Sequence, residues 1–396
     1  MQPDFQSPEL RHQTGLRLRR VVDGMASTGL DTLLLADNAN VFYMSGRYYR
    51  GYVYVTRTGK CIYFIIHPDI FAPADNVVSI RKPEQIPSEL TRMGIDLPHV
   101  VGLEYDALSY SEVSRLAKVF GEAVSADCSG VMRGARMVKT PYEIELMRID
   151  GVHQSAVYER IGRLYRRDMT DLEFQVEIER ALRLEGCLGY TRVAGRLMEI
   201  NMGSVISGDN ADVPSPYDFA MGGAGQSPSL PGGADGMTMK HGTTVMVDMN
   251  GNFNGYQTDM TRVWSVGEIS EEALKAHECS RRILRALERE TLPGVEIRSL
   301  YDRAMEIVRE EGLERYFMGH NRQVAFIGHG VGIELNEQPA ITARCRQIVE
   351  EGMTLALEPK FVIPGTGAVG VENTYVVRAD GLECLTVCPE EIKSLI

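Results

Sequence analysis

The chain has 396 residues, 44% hydrophobic and 24% charged, and its 42 Lys and Arg against 54 Asp and Glu leave a net charge of −12 at pH 7. That length exceeds one ordinary core and predicts two domains, and the apolar share excludes a largely disordered chain. The acidic balance argues against nucleic acid and anionic membranes as partners, because both recruit basic faces. The longest apolar runs, such as residues 61–66, fall far short of the ~20 residues of a membrane span. The start, Met1-Gln2-Pro3-Asp4-Phe5, has no basic segment followed by an apolar one, so no signal peptide is expected and the reading is cytoplasmic. The seven cysteines form no CxxC pair and the eight histidines no HExxH, which predicts reduced core thiols rather than a thiol-ligated zinc site.

In chain order, residues 8–29 read as an amphipathic helix ending near Gly29. Short β-rich runs follow at 32–36, 52–56, 61–66 and 100–104, interleaved with helical patterns such as 109–120. This alternation predicts a small α/β domain over residues 1–130. Residues 43–54 hold five tyrosines with Arg47 and Arg50, which serve either strand packing or the wall of an active site. A polar, basic connector opens at Ser129-Gly130 and carries Arg133, Arg136 and Lys139. In Thr140-Pro141-Tyr142-Glu143, Thr is placed for N-cap, Pro for the first helical position and Glu for a capping box. Leu146, Ile149, Val152 and Ala156 continue at helical steps, and Thr170 with Glu173 starts a second helix running to about Glu185. Residues 222–236 are rich in Gly, Ser and Pro without the Gly-Lys-Ser/Thr ending of a phosphate loop, and read as a mobile loop over a site. Two more helices are predicted at 271–290 and 296–311, among hairpin-like strands from Thr243 onward. Residues 131–396 thus form the second domain of an α+β protein.

The chemistry-bearing residues lie in that second domain. Val245-Met246-Val247-Asp248 is an apolar strand carrying a carboxylate, which a buried strand tolerates only if something neutralises it. Asp259 follows after two Asn-Gly turn signals, so a hairpin can bring the two aspartates together. The pattern recurs in Leu355-Ala356-Leu357-Glu358-Pro359, a Pro364-Gly365 turn, and Val369-Gly370-Val371-Glu372-Asn373, which can pair Glu358 with Glu372. His329 sits between Gly328 and Gly330, where ligand or backbone can come close. Four carboxylates cannot all ionise together in a dry interior without cations. With one imidazole they make a plausible cage for two divalent metal ions. Oxygen-dominated ligation with one nitrogen suits Mn²⁺, Co²⁺ or Fe²⁺, with Zn²⁺ also admissible, and Mn²⁺ is the preferred assignment.

These residues resemble the pita-bread metallohydrolases: methionine aminopeptidase, aminopeptidase P, prolidase and creatinase. Asp248, Asp259 in Gly255-Tyr256-x-x-Asp259-x-Thr261-Arg262, Gly328-His329-Gly330-x-Gly332, Glu358-Pro359 and Gly370-x-Glu372-Asn373 look like the family's ordered signatures. Residues 136–147 look like the connector of the aminopeptidase P and prolidase branch. The resemblance implies a creatinase-type α/β N-terminal domain followed by a C-terminal pita-bread domain. It implies that Asp248, Asp259, His329, Glu358 and Glu372 bind two divalent metals, with Asp259 and Glu372 bridging. It further implies attack by metal-bound hydroxide on Xaa-Pro bonds of short peptides, with Glu358 moving the proton to the leaving amine. A homodimer is implied as well, with Arg47, Tyr48 and Tyr49 as candidates to reach a second subunit's site. Arg262 is expected to be structural, and Tyr256 to line the site.

Two departures stand out. Where the branch usually carries a Pro-His element, Pro214 leads to Ser215, and where it usually carries His-Glu-x-Pro, Asn336-Glu337-Gln338-Pro339 stands. Ser215 and Asn336 are therefore candidate catalytic donors in place of two histidines, and neither can be cationic. Losing one oxyanion donor costs ~10²–10³ in rate in known cases. The alternative reading is a metal-dependent lyase or non-peptide amidohydrolase on the same fold.

Overall fold

Alternating short strands and helices in the N-terminal third build an open mixed sheet. The computed structural model describes residues 8–68, 74–196 and 198–396, and the chain divides into two units, one ending at Arg136 and one beginning at Met137. The first contains α1 (Pro8–Met25), β1 (Thr32–Leu35), α2 (Asn38–Ser45), β2 (Arg50–Thr56), β3 (Cys61–His67), β4 (Val77–Ser79), α3 (Ile86–Arg92), β5 (Val100–Leu103), α4 (Tyr110–Leu116), β6 (Val124–Asp127) and α5 (Ser129–Met137). Its sheet runs β4-β3-β2-β1-β5-β6, with β1 antiparallel to β2 and parallel to β5. Helices α2 and α5 are among the elements that lie beyond the sequence reading. The Asp37 carboxylate caps α2 by accepting from the N–H groups of Ala39 and Asn40. The connector from Ser129 is helical over α5 and buries Arg136, whose guanidinium donates to Asn40 Oδ1 at 3.1 Å. The tyrosine-rich stretch goes mostly to packing: Tyr43, Tyr49 and Tyr54 are buried, while Tyr48 is half-exposed and stacks on Phe42.

Glu104 ties this unit together where β1 turns into α2. It is fully buried and accepts from Ala36 N at 2.7 Å, Asp37 N at 2.9 Å and Asn40 Nδ2 at 2.7 Å. Burial pushes its carboxyl up to about 7, against the pull of those donors.

The second unit begins with α6 (Pro141–Tyr158) and α7 (Asp171–Glu185), each started by the predicted capping box. Then come β7 (Gly203–Ser207), β8 (Thr243–Gly251), β9 (Thr258–Val266), α8 (Glu271–Glu290), α9 (Ile297–Glu311), β10 (Phe326–Gly330), β11 (Glu337–Thr342), β12 (Thr354–Leu357), β13 (Lys360–Ile363), β14 (Gly367–Gly370), β15 (Asn373–Arg378), β16 (Gly381–Cys384) and β17 (Lys393–Ser394). They form one sheet ordered β17-β9-β8-β7, a second ordered β11-β10-β12-β15-β16, and the ribbon β13-β14. The inner faces of α8 and α9 bury Ile283, Leu284, Leu287, Ile307 and Val308 in one core with Leu355, Leu357, Phe361 and Tyr375. Helices α6 and α7 cover the first sheet through Tyr158, Phe174, Ile178 and Leu182, packed with Val247 and Trp264. The Tyr158 hydroxyl donates to Met260 O at 2.5 Å and accepts from Met249 N at 3.0 Å, clasping β8 to β9.

Arg262 on β9 is buried, and its guanidinium donates to the carbonyls of Thr261, Glu372, Thr386, Cys388 and Pro389 and to Asn373 Oδ1. It is structural, as expected, and holds the backbone of Glu372 against β9.

Two stability predictions follow from these buried groups. For Glu104, the folded carboxyl is raised to about 7 from its ordinary value of 4.5, so the folded state holds the extra proton between those values. Its contribution to stability is therefore present at low pH and declines as pH rises through that window, by at most ~1.4 kcal/mol per unit. Hydrogen exchange of the β1–α2 segment, corrected for intrinsic rates, should show protection falling from pH 5 to pH 7 in the wild type and falling less in Glu104→Gln. For Arg262→Ala, stripping the donor from these buried acceptors is expected to cost ~3–5 kcal/mol. Thermal unfolding followed by the fluorescence of Trp264, the single tryptophan, reads that loss.

Candidate metal centre

The β8–β9 hairpin sets the first two carboxylates. Asp248 pairs with Thr261 and Asn250 with Asp259, so Asp248 and Asp259 are diagonal neighbours on one face. Asp259 is locked by Thr374, whose hydroxyl accepts from Asp259 N at 2.7 Å and donates to Asp259 O at 3.0 Å. The second pair comes from a hairpin whose ladder breaks in the middle. Leu357 pairs with Asn373 in the β12–β15 ladder and Lys360 with Gly370 in the β13–β14 ribbon, a continuous register. Glu358 and Glu372 sit opposite one another in the gap, where Pro359 has no N–H to continue the ladder. Their side chains turn inward toward β9: Glu372 forms an isolated bridge with Thr261 and accepts from its hydroxyl at 2.7 Å. His329 on β10 lies beside Ala356 of β12. Its Nδ1 stands 3.1 Å from Gly330 O; a carbonyl only accepts, so Nδ1 carries the hydrogen and Nε2 presents a lone pair.

All five predicted ligands converge. Among the described residues, Asp259, His329 and Glu372 form one group, and Asp248, Glu358 and Glu372 another, with ligand atoms within 4.8 Å of one another in each. The two groups differ in one respect that the motifs did not announce: Lys360 is completely buried, and its ammonium donates to Asp248 Oδ2 at 2.8 Å, Glu358 Oε2 at 2.7 Å and Glu372 Oε2 at 2.9 Å. The sequence does carry a signal for this residue. A lysine two places after Glu358 in an apolar strand shares its face, and a buried lysine needs anionic partners.

Charge and burial oppose each other here. Burial pushes the carboxyls of Asp259 and Glu372 well above the usual carboxylate range; Asp248 adds to the shift at Asp259, Asp259 adds to it at Glu372, and Lys360 counteracts it at both. Burial by itself would depress the Lys360 ammonium, yet Asp248, Glu358 and Glu372 outweigh it and hold the group well above its ordinary value.

The donor set fits a divalent ion in the first group. His329 Nε2 lies 3.7 Å from Asp259 Oδ2 and 3.6 Å from Glu358 Oε1, too far for hydrogen bonds. Two ligand atoms each ~2.1 Å from a shared ion at a tetrahedral angle stand ~3.4 Å apart. Glu372 Oε1 is buried and has no hydrogen-bond partner among the described residues, so a lone pair faces this space without a proton donor. In the second group, the three carboxylates already share an ammonium.

The centre opens into a cavity of about 340 Å³ lined by Asp248, Asp259, His329 and Glu358, with Phe219, Phe326 and Leu335 among its apolar walls. Asn336 also lines it, but its amide is engaged: Oδ1 accepts from Ala194 N at 2.7 Å and Nδ2 donates to Ala194 O at 3.1 Å. Ser215 lies outside this cavity, beside a separate small pocket, and its hydroxyl donates to Pro231 O at 2.7 Å and accepts from Tyr217 N at 3.2 Å. Tyr256, expected to line the site, instead donates to Glu143 Oε1 at 2.7 Å and so supports the start of α6. The Gly-rich stretch 222–236 is tethered at both ends: Ala224 N donates to Asn210 Oδ1, and the N–H groups of Asp235 and Gly236 donate to the Asp171 carboxylate.

Comparison with known proteins matches this arrangement. Residues 17–138 fit the Creatinase/Prolidase N-terminal domain and residues 145–379 fit metallopeptidase family M24. The Xaa-Pro dipeptidase of Pyrococcus furiosus is 26% identical over 383 residues, 95% of this chain and 99% of that relative. The putative dipeptidase YkvY of Bacillus subtilis is 24% identical over 392 residues, 95% of this chain and 99% of that one. Among solved structures, the Xaa-Pro dipeptidase from Bacillus anthracis superimposes with a TM-score of 0.80 at 22% identity, covering 96% of this chain and 99% of its own. The X-Pro aminopeptidase from Thermotoga maritima gives 0.75 at 22% identity, over 95% and 99%. These likenesses give the fold expected from the sequence, a creatinase-type domain followed by a pita-bread domain, and they do not favour the lyase or amidohydrolase alternative. The family match spans more than half the chain and contains every residue of the centre, and the protein belongs to metallopeptidase family M24.

Proposed function

We propose that the protein is a metal-dependent peptidase that releases the residue preceding proline from short peptides. The observation that carries this reading is the convergence of Asp259, His329 and Glu372, whose Oε1 is buried and orphaned, beside a 340 Å³ cavity that Asp259, His329 and Glu358 line. That volume lies within the ~300–1,000 Å³ of small-ligand sites and suits a di- or tripeptide rather than a folded chain. The aromatic and aliphatic walls provided by Phe219, Phe326 and Leu335 suit a proline ring. Relatives named as Xaa-Pro dipeptidases, aligned over nearly the whole chain, support the same substrate class.

A divalent ion bound by these residues supplies Lewis-acid polarisation and a nucleophile usable at neutral pH. The chain does the rest. His329 presents Nε2 because Gly330 O fixes its tautomer, and Thr374 holds the Asp259 backbone in place. Glu358, with Oε2 on Lys360 and Oε1 facing His329, is the group assigned to carry the proton to the leaving amine. Asn336 holds the Ala194 segment through its amide oxygen and one of its two amide hydrogens, and the second hydrogen is left for the cavity that the residue lines. The reading includes Mn²⁺ as the native ion, from the oxygen-dominated donor set, a cytoplasmic setting, from the cysteine pattern and the N-terminal sequence, and a homodimer, as the family resemblance implies.

Purified full-length protein incubated with Mn²⁺ or Co²⁺ should cleave Ala-Pro and Met-Pro, lose that activity to EDTA and regain it on metal addition. Failure to cleave any Xaa-Pro dipeptide or tripeptide above background rejects the reading. His329→Ala should reduce kcat at least ~100-fold, since even outer-shell changes at metal sites cost 10–100-fold. Ser215→Ala should leave kcat/KM near wild type, because that hydroxyl is spent within its own loop. Steady-state kinetics on Ala-Pro distinguishes the two variants.

A further inference from the structure

We propose that the Lys360 ammonium takes the place of one of two cations, so that the centre holds a single divalent ion, on Asp259, His329, Glu358 and Glu372. The inference rests on the metal-dependent reading above and changes its stoichiometry.

Three observations carry it. The first is distance. Lys360 Nζ stands 2.7–2.9 Å from oxygens of Asp248, Glu358 and Glu372, the separation of charge-assisted N–H···O bonds. Those three residues are the whole of the second ligand group. A metal ion there would need the same oxygens at ~2.0–2.2 Å, in space the ammonium fills. The second is confinement. Lys360 is completely buried, pairs with Gly370 across the ribbon, and donates its N–H to Met318 Sδ while its carbonyl accepts from Met318 N. At Gly370, with φ of +146°, a Cβ would lie 3.2 Å from Lys360 Cγ and 2.9 Å from its Cα, so glycine there makes room for the lysine stem. The ammonium thus has no solvent position to retreat to without moving the strand. The third is charge. Four carboxylates sum to −4; one divalent ion and one ammonium bring the centre to −1, whereas two divalent ions beside the ammonium would bring it to +1 with cations crowded within ~4 Å. Meanwhile the orphaned Oε1 of Glu372 and the 3.6–3.7 Å spacings around His329 leave the first position open to an ion.

The test is metal stoichiometry rather than turnover. Full-length protein is stripped with chelator, dialysed to equilibrium against Mn²⁺ and analysed by mass spectrometry of the metal alongside protein concentration. Wild type should bind one Mn²⁺ per chain, and Lys360→Gly or Lys360→Met, which vacate the ammonium position, should bind two. Where both variants fail to fold, low-temperature paramagnetic resonance of wild type decides: a six-line spectrum of isolated Mn²⁺ supports the inference, and the multiline spectrum of a coupled pair overturns it. Two ions in wild type overturn the inference and leave the metal-dependent reading standing. No bound ion in wild type overturns both. One ion in wild type and one in each folded variant overturns the assignment of Lys360 as the group that excludes the second.

Discussion

The need to neutralise carboxylates gathered in a nearly dry space governs this molecule. Asp259, Glu358 and Glu372 are buried, Asp248 is partly so, and their mutual repulsion in a weakly screening interior would drive protonation or unfolding if left unanswered. The protein answers with one permanent cation, the Lys360 ammonium, and one set of ligands spaced for a divalent ion. Much of the surrounding structure makes sense as support for that balance.

Support comes from a hairpin that stops being a ladder for two residues on each side. A regular β12–β15 pairing extended through β13–β14 would spend the backbone at 358 and 372 on each other. Instead Pro359 breaks the ladder, Glu358 N turns to Ile327 O, and Glu372 pairs with Thr261 of the neighbouring sheet. The break thereby stitches one sheet to the other at the place where the charges lie. Arg262 completes the seam by gathering the carbonyl of Glu372 and the C-terminal segment around Thr386 to Pro389. Asp248, Asp259 and His329 lie on strands, and Glu358 and Glu372 in two-residue gaps between strand segments, which keeps their positions defined.

The two positions at which related enzymes usually place histidine have acquired local tasks. Asn336 grips the backbone of Ala194, and Ser215 closes a turn against Pro231. The Ser215 hydroxyl is spent within its own loop, whereas Asn336 commits only one of its two amide hydrogens.

Capping boxes, turn dipeptides and strand-end carboxylates are local signals, and through them the sequence alone specified helices α6 and α7, both carboxylate hairpins and the five residues that converge. A hairpin needs only its register and its turn for two residues to meet, so Asp248 with Asp259, and Glu358 with Glu372, were legible. Helix α2 and the helical connector α5 were not, because the contacts of Asn40 with Glu104 and of Arg136 with Asn40 join residues remote in sequence. The partners of Ser215, Asn336 and Tyr256 were not legible for the same reason: a hydrogen-bonding side chain advertises its capacity but not its partner. Lys360 shows the limit most clearly. Its place beside Glu358 is written in the chain, but that its ammonium reaches Asp248 and Glu372 as well depends on two sheets meeting, and only tertiary packing brings those oxygens within 3 Å of one nitrogen.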